Sequence, residues 1–459
     1  MQGGGHSDMA VIPAHEKRNA SDPIELAVIG GGPKAAALTA KAKVLRETGR
    51  LDVRITIFEP DGIGAHWRGR AGYTDGEQRL CTLAERDVGY PYSSLFGKDV
   101  DLRMAADYSW GRFLHERPSG YEHGFRTWLD AGRKPPYHAS YADYLSWVVA
   151  SSSSRPTVEA QVVELAKDDD LWRIRSRQGT DRPMLEKTRF HGVVVTGPGP
   201  ARQIGIVKKR GLTTPSMNLF NGRDFWQRAE EVRRCLKAMG KRGDDDAEIV
   251  IVGAGGTAAA VLSWLIGEGA RDRRIVIVAS QASLYTRVDS VFENRLFSDE
   301  TVWETLSKES RRAFFDRLNR GVVWATVMDR VATASGLTML DGRAESIQAD
   351  SAEQWSLSVE RGDKTRVQLR PSLLIDATGF DPWWFLSMIK GWPQAAAKPA
   401  KPQRERWERA MSKNLSLTGG PWKGYPPLHA PMVSSHIGPG YGSLMVLGAM
   451  ADRILGAYI

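Results

Sequence analysis

The sequence predicts an α/β protein with two Rossmann-like domains, the first of them split by insertion of the second, and a small helical region. Two apolar, β-branched runs, 24–29 and 249–252, each end in a glycine-rich turn that leads into an Ala- and Leu-rich helix. A third apolar run, 373–376, ends in Ala-Thr-Gly. A chain of 459 residues is also longer than one hydrophobic core supports, which favours two or three domains.

The first glycine-rich turn, Gly30-Gly-Gly-Pro-Lys-Ala35, matches the pattern GxGxxA directly after the predicted strand, and the predicted helix then runs to about Thr48. Gly30 permits the tight turn, and Gly32 lets the backbone approach a pyrophosphate at the helix N-terminus. The small side chain of Ala35 lets helix and strand pack closely. The turn therefore predicts a dinucleotide-binding domain.

An acidic residue completes this first site. The next predicted strand, Val53–Phe58, ends in Glu59, and a carboxylate at this point can accept hydrogen bonds from a ribose diol. Strand, turn, helix, strand and acid follow one another in the order that a dinucleotide site requires. We predict that FAD binds here, and the residues expected to contact it are Gly30, Gly32, Pro33, Lys34, Ala35 and Glu59.

The second glycine-rich turn, Gly253-Ala-Gly-Gly-Thr-Ala258, repeats the pattern ahead of a predicted helix over 259–267. The next predicted strand, 275–278, is followed by Ala and Ser280 instead of an acid. Loss of the carboxylate removes repulsion toward a 2′-phosphate, which Ser280 and Arg287 are available to bind, although Arg287 could equally be an ordinary surface arginine. The site is therefore predicted to bind NADPH rather than NADH. The expected contacts are Gly253, Gly255, Gly256, Thr257, Ser280 and Arg287.

Two later segments are predicted to return the chain to the first domain. The run 373–376 with Ala-Thr-Gly379 is typical of the strand that re-enters an FAD domain after an NADPH insertion. The glycine-rich segment Gly438–Leu444 precedes an apolar helix that runs to Ile459, and a helix N-terminus there could face the flavin ring. The further residues expected at the FAD are Gly379, Ser443 and Leu444.

These landmarks predict how the chain divides into domains. The predicted units are an FAD domain over 24–205 and 371–459, and an NADPH domain over 206–370. Apolar residues recur at helical spacing between Asp299 and Asn319, which predicts a small helical insertion over about 294–325 on the substrate side. Residues 1–23 are rich in Gly, Ser and charge, so a disordered extension is expected there rather than a signal peptide.

Composition and charge argue against several classes of function. The net charge is +9, but the basic residues are dispersed, whereas a nucleic-acid binder would concentrate them. Cys81 and Cys235 form no CxxC, which argues against a disulfide scaffold, a metal site or a dithiol centre and fits a reducing cytoplasm. The uncharged run Ile249–Gly267 holds a glycine-rich turn, so a buried strand, turn and helix explain it better than a membrane span. The oligomeric state stays open, a homo-oligomer included.

Three types of enzyme use two dinucleotides in this arrangement. A disulfide reductase requires a CxxC, which the sequence lacks. A Baeyer–Villiger or microsomal-type monooxygenase requires Phe-x-Gly-x-x-x-His, and the nearest match, Phe220-Asn-Gly-Arg-Asp-Phe-Trp226, ends in Trp. The third type is the N-hydroxylating monooxygenase.

Short segments along nearly the whole chain carry a resemblance to this third type. These segments are Gly64–Trp67, Gly72–Gly76, Glu85–Tyr92, Tyr108–Trp110, Val291–Asp299, Arg320–Val322, Ala325–Val327 and Asp452–Leu455. In them the chain resembles the flavin-dependent amino-acid N-hydroxylases of siderophore biosynthesis, and most of all the mycobactin-type lysine N6-hydroxylases. The Phe-x-Asn-x-x-Phe element that ends at Phe297 is the most specific of the segments.

The resemblance implies a reaction. NADPH reduces FAD, O2 adds at the flavin C4a, and the distal oxygen passes to a substrate amine while NADP+ stays bound and excludes water. The implied substrate is a small-molecule amino acid, with L-lysine, hydroxylated at N6, as the first expectation. L-ornithine, a diamine or another amine remains an alternative within the same chemistry, and another two-dinucleotide flavin oxidase or monooxygenase is the alternative outside it.

The resemblance also implies site residues. Asn294 falls where the family has an asparagine that contacts both substrate and NADP+, and Arg86 falls where the family commonly has a lysine that pairs with the substrate carboxylate. The alternative for Arg86 is an ion pair with a neighbouring acid. Trp67 is expected beside the flavin or in the core. The Leu80-Cys81 pair and the lack of a further family asparagine after Asn319 both favour lysine over ornithine.

Overall fold

The computed structural model describes residues 22–69, 72–116, 124–207, 218–241, 248–287, 290–319, 322–349, 355–392 and 398–459. Most of the N-terminal extension expected over 1–23 therefore lies outside the described residues. The strands are β1 (Ile24–Ile29), β2 (Val53–Phe58), β3 (Gln161–Asp168), β4 (Leu171–Arg177), β5 (Met184–Leu185), β6 (Gly192–Val195), β7 (Ile206–Val207), β8 (Leu219–Asn221), β9 (Ile249–Val252), β10 (Ile275–Ala279), β11 (Tyr285–Arg287), β12 (Val322–Trp324), β13 (Leu337–Asp341), β14 (Arg343–Ala349), β15 (Trp355–Glu360), β16 (Arg366–Leu369), β17 (Leu373–Asp376) and β18 (Leu428–His429). The helices are α1 (Pro33–Glu47), α2 (Lys98–Tyr108), α3 (Trp110–Glu116), α4 (Phe125–Asp130), α5 (His138–Ser152), α6 (Asp224–Gln227), α7 (Ala229–Lys241), α8 (Gly256–Leu265), α9 (Val291–Ser298), α10 (Glu300–Thr305), α11 (Lys308–Asn319), α12 (Ala325–Val331), α13 (Lys401–Arg409) and α14 (Leu447–Leu455).

A parallel sheet with the strand order β18–β6–β1–β2 carries the first glycine-rich turn at its carboxyl edge. Along β1 every side chain except that of Glu25 is buried, as expected for a strand in the middle of a parallel sheet covered by helices. α1 packs against α5 and α14, and its apolar residues join those of β1 in one core. Strand, turn and helix form the first of the two predicted Rossmann-like units.

A second parallel sheet, ordered β13–β10–β9–β17–β8, carries the second glycine-rich turn after β9. The helices α7, α8 and α12 cover one face of this sheet through an apolar cluster that includes Val232, Val261 and Val331. The strand, turn and helix predicted within Ile249–Gly267 are therefore observed. Both fingerprints thus stand in the same local architecture, and the two-unit α/β fold is as predicted.

The position of β17 corrects the predicted return of the chain. The returning FAD segment was predicted to begin at residue 371, but Leu373–Asp376 pairs with β9 and β8 inside the second sheet. The amide of Ala377 still donates to the Val252 carbonyl at 2.8 Å, so the chain leaves the second sheet only beyond that residue. A short apolar strand with parallel neighbours fits either sheet equally well, and the pairing partner is decided by tertiary structure.

Antiparallel strands that the sequence analysis did not resolve cover the remaining sheet faces. β14, β15 and β16 form a meander, and β7 joins its edge in parallel with β14. Trp355, Leu357 and Val359 of β15 pack with Val250 and Val276 of the second sheet. β3, β4 and β5 form a separate antiparallel sheet, and Trp172 and Ile174 of β4 belong to the first core.

The predicted helical insertion consists of α9, α10 and α11. It begins at Val291 and ends at Asn319, so it starts slightly earlier and ends earlier than the expected 294–325. Trp303 is buried, and its ring lies 5.9 Å from that of Phe314 and 5.3 Å from that of Phe315. Helix spacing thus brought the aromatic residues to one side, where they hold the three helices together.

Across the part of the chain that the structure describes, no helix combines the length and the apolar character needed to cross a membrane.

Candidate active site

The first glycine-rich turn is built for the close approach of a ligand. Gly30 has φ +106°, and a Cβ placed on it would lie 2.6 Å from Thr196 Oγ1, so the fold itself requires glycine there. A Cβ on Gly32 would meet no atom within 4 Å. Gly32 is also the N-cap of α1, where no side chain caps the helix and no acidic residue lies in the first turn. The backbone N–H groups that no side chain caps and the helix dipole at this point suit a pyrophosphate.

Glu59 braces this turn from the end of β2. Its side chain is 3% exposed, with Oε2 accepting from the Gly31 amide at 2.8 Å and Oε1 accepting from the Asp61 amide at 3.1 Å. Each carboxylate oxygen retains a second lone pair that a ribose hydroxyl could use. Glu59, Asp61 and His66 are the one group of possible metal ligands close enough together within the described residues.

A chain of aromatic contacts runs from Glu59 toward Gly379. His66 Nε2 lies 4.0 Å from the Glu59 carboxylate, and the His66 ring lies 5.1 Å from that of Tyr73. Tyr73 in turn meets the ring of Phe380, the residue after Gly379, edge-on at 4.7 Å. Neither Tyr73 nor Phe380 was predicted as a site residue, because only the fold brings these distant segments together.

Trp67 closes a short 3-10 turn and contacts two aromatic residues of α5. Its ring meets His138 edge-on at 4.8 Å and Tyr141 at 5.6 Å. His138 Nδ1 lies 2.8 Å from Thr74 Oγ1, and burial lowers the pKa of His138 to about 4, so this imidazole is neutral. These contacts give Trp67 a packing role, and contact with the flavin stays a prediction.

The segment 438–445, which we call the C-terminal loop, contacts the first turn. Lys34, in the first turn of α1, donates from Nζ to the Gly442 carbonyl at 3.0 Å. Ser443 Oγ donates to the Gly440 carbonyl at 2.7 Å and accepts from the Met445 amide at 3.1 Å. The final helix begins only at Leu447, so Ser443 and Leu444 belong to the loop ahead of it. The loop therefore borders the proposed pyrophosphate turn.

Arg86, which is distant from the C-terminal loop in sequence, also contacts that loop. Its Nη1 donates to Thr82 Oγ1 at 2.9 Å and lies 3.8 Å from Met445 Sδ. Thr82 precedes Arg86 by four residues, and this spacing is the one sequence signal that indicates Thr82 as a hydrogen-bond partner of Arg86. The neighbouring acid Asp87 is fully engaged elsewhere, since it accepts from the Tyr92 hydroxyl at 2.7 Å and from the Trp110 amide at 2.9 Å.

Helix α9 reaches the C-terminal loop as well. Ser290 caps the helix by accepting from the Glu293 amide at 3.4 Å, and Asn294 lies half-buried in its second turn. Phe297 packs one turn further on, where a Cβ on Gly440 would lie 2.5 Å from the Phe297 carbonyl oxygen. Arg86 and α9 therefore both contact residues of one short loop, although neither Arg86 nor Asn294 lines the cavity of about 500 Å³ beside Phe297 and Tyr441.

The second glycine-rich turn repeats the design of the first. Gly253 has φ +112°, and a Cβ on it would lie 2.5 Å from the Ala377 carbonyl oxygen. Gly255 is the N-cap of α8, again without a side-chain cap or an acid in the first turn, and a Cβ on Gly256 would meet no atom within 4 Å. Thr257 follows inside the helix. The turn thus suits a second pyrophosphate.

The residues predicted to select the 2′-phosphate follow the next strand, β10. Ser280 is exposed directly after β10. Gln281, which the sequence analysis missed, donates from Nε2 to the Ala254 carbonyl at 3.3 Å and ties this segment to the glycine turn. The backbone of Arg287 ends β11, while its side chain lies outside the described residues.

Comparison with known proteins agrees with the resemblance found in the sequence. The L-lysine 6-monooxygenase/L-ornithine 5-monooxygenase family matches residues 105–382. The L-lysine N6-monooxygenase MbtG of Mycobacterium tuberculosis is 32% identical over 452 residues, which are 95% of each chain. The solved structure of the lysine monooxygenase NbtG from Nocardia farcinica has a TM-score of 0.71 at 26% identity and covers 94% of this chain and 99% of its own. The ornithine N-hydroxylase KtzI from Kutzneria sp. 744 shares the fold, with a TM-score of 0.67 at 15% identity over 95% of this chain and 99% of its own.

These matches confirm the predicted family, the fold class and the pair of cofactors. The family match spans more than half of the chain, and MbtG matches the chain over almost its whole length. The helices α1 and α8 both begin without a side-chain cap behind a glycine with open space beside it, and such an N-terminus suits an anion. The chain belongs to the L-lysine 6-monooxygenase/L-ornithine 5-monooxygenase family and is an FAD- and NADPH-dependent monooxygenase that acts on a small-molecule amino acid.

Proposed function

We propose that the protein hydroxylates L-lysine at N6, with O2 as the oxygen source, and so supplies a hydroxylamine for a siderophore or a related natural product. The observation that carries this proposal is the C-terminal loop, 438–445. Arg86 contacts it through Met445, α9 contacts it through Phe297, and the first glycine turn contacts it through Lys34. Residues proposed for substrate, NADPH and FAD thus meet at one place. The MbtG and NbtG names support lysine as the amino acid.

The two glycine turns divide the cofactors between the two units. The first unit holds FAD, and the second, with its exposed Ser280 in place of an acid, holds NADPH. The residues assigned to FAD are Gly30, Gly32, Pro33, Lys34, Ala35, Glu59, Trp67, Gly379, Ser443 and Leu444. Those assigned to NADPH are Gly253, Gly255, Gly256, Thr257, Ser280, Arg287 and Asn294.

Arg86 binds the α-carboxylate of the amino acid in this proposal. A guanidinium offers two parallel N–H donors to a carboxylate, and the hydrogen bond from Nη1 to Thr82 Oγ1 holds one edge of that group in place. Asn294 provides a carboxamide from α9 that can donate to the substrate carboxylate or to a cofactor ribose. A diamine has no carboxylate, so a site that includes a half-buried arginine favours an amino acid over a diamine.

FAD, when bound and reduced by NADPH, would activate O2, one atom of which passes to the amine while the other leaves as water. The protein must present the lysine side chain as a neutral amine, because a protonated nitrogen has no lone pair to attack the oxygen. The ammonium of free lysine has a pKa of about 10.4, and removal from water lowers it. Tyr73 and Phe380 meet edge-on between Glu59 and Gly379 and offer apolar surface against which such an amine could lose water.

A direct assay tests this proposal. The purified protein is supplied with FAD, NADPH and, in separate reactions, L-lysine, L-ornithine and cadaverine, and mass spectrometry follows the gain of one oxygen by each amine. We expect N6-hydroxylysine to form in step with NADPH consumption and the other two amines to react more slowly. A reaction without amine serves as the control for uncoupled peroxide. If NADPH reduces the flavin but no amine gains oxygen, the proposed function is wrong; preferential oxygenation of ornithine or cadaverine would reassign the substrate.

A further inference from the structure

Two buried lysines lie on one face of α1 but have different partners. Lys34 and Lys41 are seven residues apart, which places them on the same side of the helix. Lys41 Nζ lies 2.8 Å from Asp452 Oδ1 and is therefore neutralised by a carboxylate. Lys34 is 7% exposed, and within the described residues its ammonium makes one hydrogen bond, to the neutral carbonyl of Gly442. A cation with three N–H donors is thus buried without an anion from the protein.

The charged groups named here on the surrounding elements already have hydrogen-bond or ion-pair partners. Glu59 at the end of β2 accepts from the Gly31 and Asp61 amides, and Asp452 of α14 accepts from Lys41 and from Ser94 Oγ. The other charged groups near α1 also have partners: Arg453 contacts Glu300, and Asp143 of α5 contacts Arg68. The C-terminal loop carries no charged side chain. Accordingly burial alone acts on Lys34 and lowers its pKa to about 8.

The place where the missing anion should lie is defined by the turn that precedes Lys34. Lys34 belongs to the first turn of α1, whose N-terminus is uncapped, and open space lies in front of Gly32. FAD in its oxidised form carries its negative charge on the pyrophosphate, while its ring is neutral. The FAD pyrophosphate assigned to this turn is therefore an anion of the kind that Lys34 lacks among the described residues.

We propose that Lys34 takes an oxygen of the FAD pyrophosphate as its counter-ion while it keeps the Gly442 carbonyl, and so fastens the C-terminal loop to the bound cofactor. This inference rests on the proposed FAD site. Its consequence reaches the substrate, because the same loop contacts Arg86 through Met445 and α9 at Gly440. Lys34 is thus a positioning residue that makes the order of the substrate side depend on FAD.

The test separates the charge of Lys34 from its hydrogen bond. FAD is titrated into the flavin-free full-length protein, wild type and the variants Lys34→Met, Lys34→Gln and Lys43→Met. Glutamine can still donate to Gly442 but carries no charge, and Lys43 is a surface lysine of the same helix paired with Glu47. We expect both Lys34 variants to lose about ten- to a hundredfold in FAD affinity, the loss typical of a charge-assisted hydrogen bond, and Lys43→Met to bind as the wild type.

Proton uptake gives a readout that a merely structural lysine would not move. At pH 9 the Lys34 amine of the flavin-free protein is mostly neutral, and an adjacent pyrophosphate would restore its proton. Because a ten- to hundredfold preference for the protonated amine raises the pKa of Lys34 by about one to two units, calorimetry in buffers of different ionisation enthalpy should show roughly 0.4 to 0.8 proton taken up per FAD at pH 9 and almost none at pH 6.5. Neither Lys34 variant should show this uptake. Without FAD, Lys34→Met should unfold at the wild-type temperature or above it, because a buried charge is removed.

The outcomes discriminate between this inference and the proposed function. If Lys34→Gln binds FAD as the wild type does, the side chain acts only through Gly442 and the counter-ion role is wrong. If both variants bind oxidised FAD normally and only the flavin reduction potential falls, the charge serves the ring and the pyrophosphate assignment is wrong. ADP, which has a pyrophosphate but no flavin, should show the same Lys34 dependence. Failure of the wild type to oxygenate lysine would contradict the proposed function but leave these binding results standing.

Discussion

Substitution of Gly32 by alanine should separate cofactor binding from folding. Gly32 has an extended backbone, with φ −93° and ψ −164°, and an added Cβ meets no atom within 4 Å. Alanine therefore fits the folded chain, and because it restricts the unfolded chain, the free energy of unfolding without FAD should change by less than about 1 kcal/mol. The new methyl group would occupy the space in front of α1, where we place the pyrophosphate. Loss of one backbone hydrogen bond to phosphate there corresponds to about a ten- to hundredfold weaker Kd for FAD.

Gly30→Ala is the matched control, with the opposite expectation. Here φ is +106° and the added Cβ would lie 2.6 Å from Thr196 Oγ1, which itself donates to the Ile29 carbonyl at 2.9 Å. The left-handed backbone costs roughly 1–2 kcal/mol and the overlap about 1–3 kcal/mol more. Gly30→Ala should therefore lower the unfolding temperature of the flavin-free protein, whereas Gly32→Ala should not.

The second turn offers the same comparison for NADPH. Gly256→Ala should weaken NADPH binding and leave the FAD affinity unchanged, while Gly32→Ala should do the reverse. Thermal unfolding followed by circular dichroism reports stability, and quenching of flavin fluorescence and the NADPH dependence of flavin reduction report the two affinities. Wild-type FAD affinity in Gly32→Ala, or an equal loss of stability in Gly32→Ala and Gly30→Ala, would refute the assignment of the open space to the pyrophosphate.

Two further predictions concern the substrate anchor and acid stability. Arg86→Ala should raise the KM for L-lysine about ten- to a hundredfold, the loss typical of one charged hydrogen bond, while the rate of flavin reduction by NADPH stays nearly constant in stopped-flow measurements. An equal fall in both would show that Arg86 is structural. The free energy of unfolding should fall as the pH is lowered from 6.5 to 4. His429 is fully buried, and burial lowers its pKa to about 4. Between these pH values the unfolded chain binds a proton that the folded chain does not. The loss attributable to this group is at most about 3 kcal/mol, and His429→Phe should remove it from denaturant unfolding measured across this pH range; an unchanged pH dependence in the variant would assign the loss to other groups.

Local sequence was sufficient to predict the elements around both glycine turns. Ile24–Ile29 and Val53–Phe58 have the observed bounds of β1 and β2 because β-branched residues and the flanking turn residues act within a few positions. The helices after both turns follow from the same local rules. The aromatic residues of the helical insertion, such as Trp303 and Phe314, were likewise predicted from their spacing.

Local rules did not predict strand pairing and hydrogen bonds between residues that are distant in sequence. β17 joins the second sheet because Leu374 and Ile375 pair with β9 and β8, a choice that its own four apolar residues do not encode. The hydrogen bond from Lys34 to Gly442 spans 408 positions, and that between Arg86 and Met445 spans 359. The motif indicated that Lys34 lies at a cofactor, but only the fold shows that no protein carboxylate accompanies it within the described residues.

The C-terminal loop explains how a monooxygenase of this kind could avoid wasting reduced cofactor. Gly440 brings the loop within contact of Phe297 because a side chain there would overlap the α9 backbone. Gly442 accepts a hydrogen bond from Lys34 beside the first glycine-rich turn, and Met445 contacts Arg86. If Lys34 takes the FAD pyrophosphate as its counter-ion, as proposed above, the loop would be held on three sides by the groups proposed for FAD, for NADPH and for the amino acid. Such a loop would exclude water from the site when the cofactor is bound, so oxygen transfer would be favoured over release of peroxide.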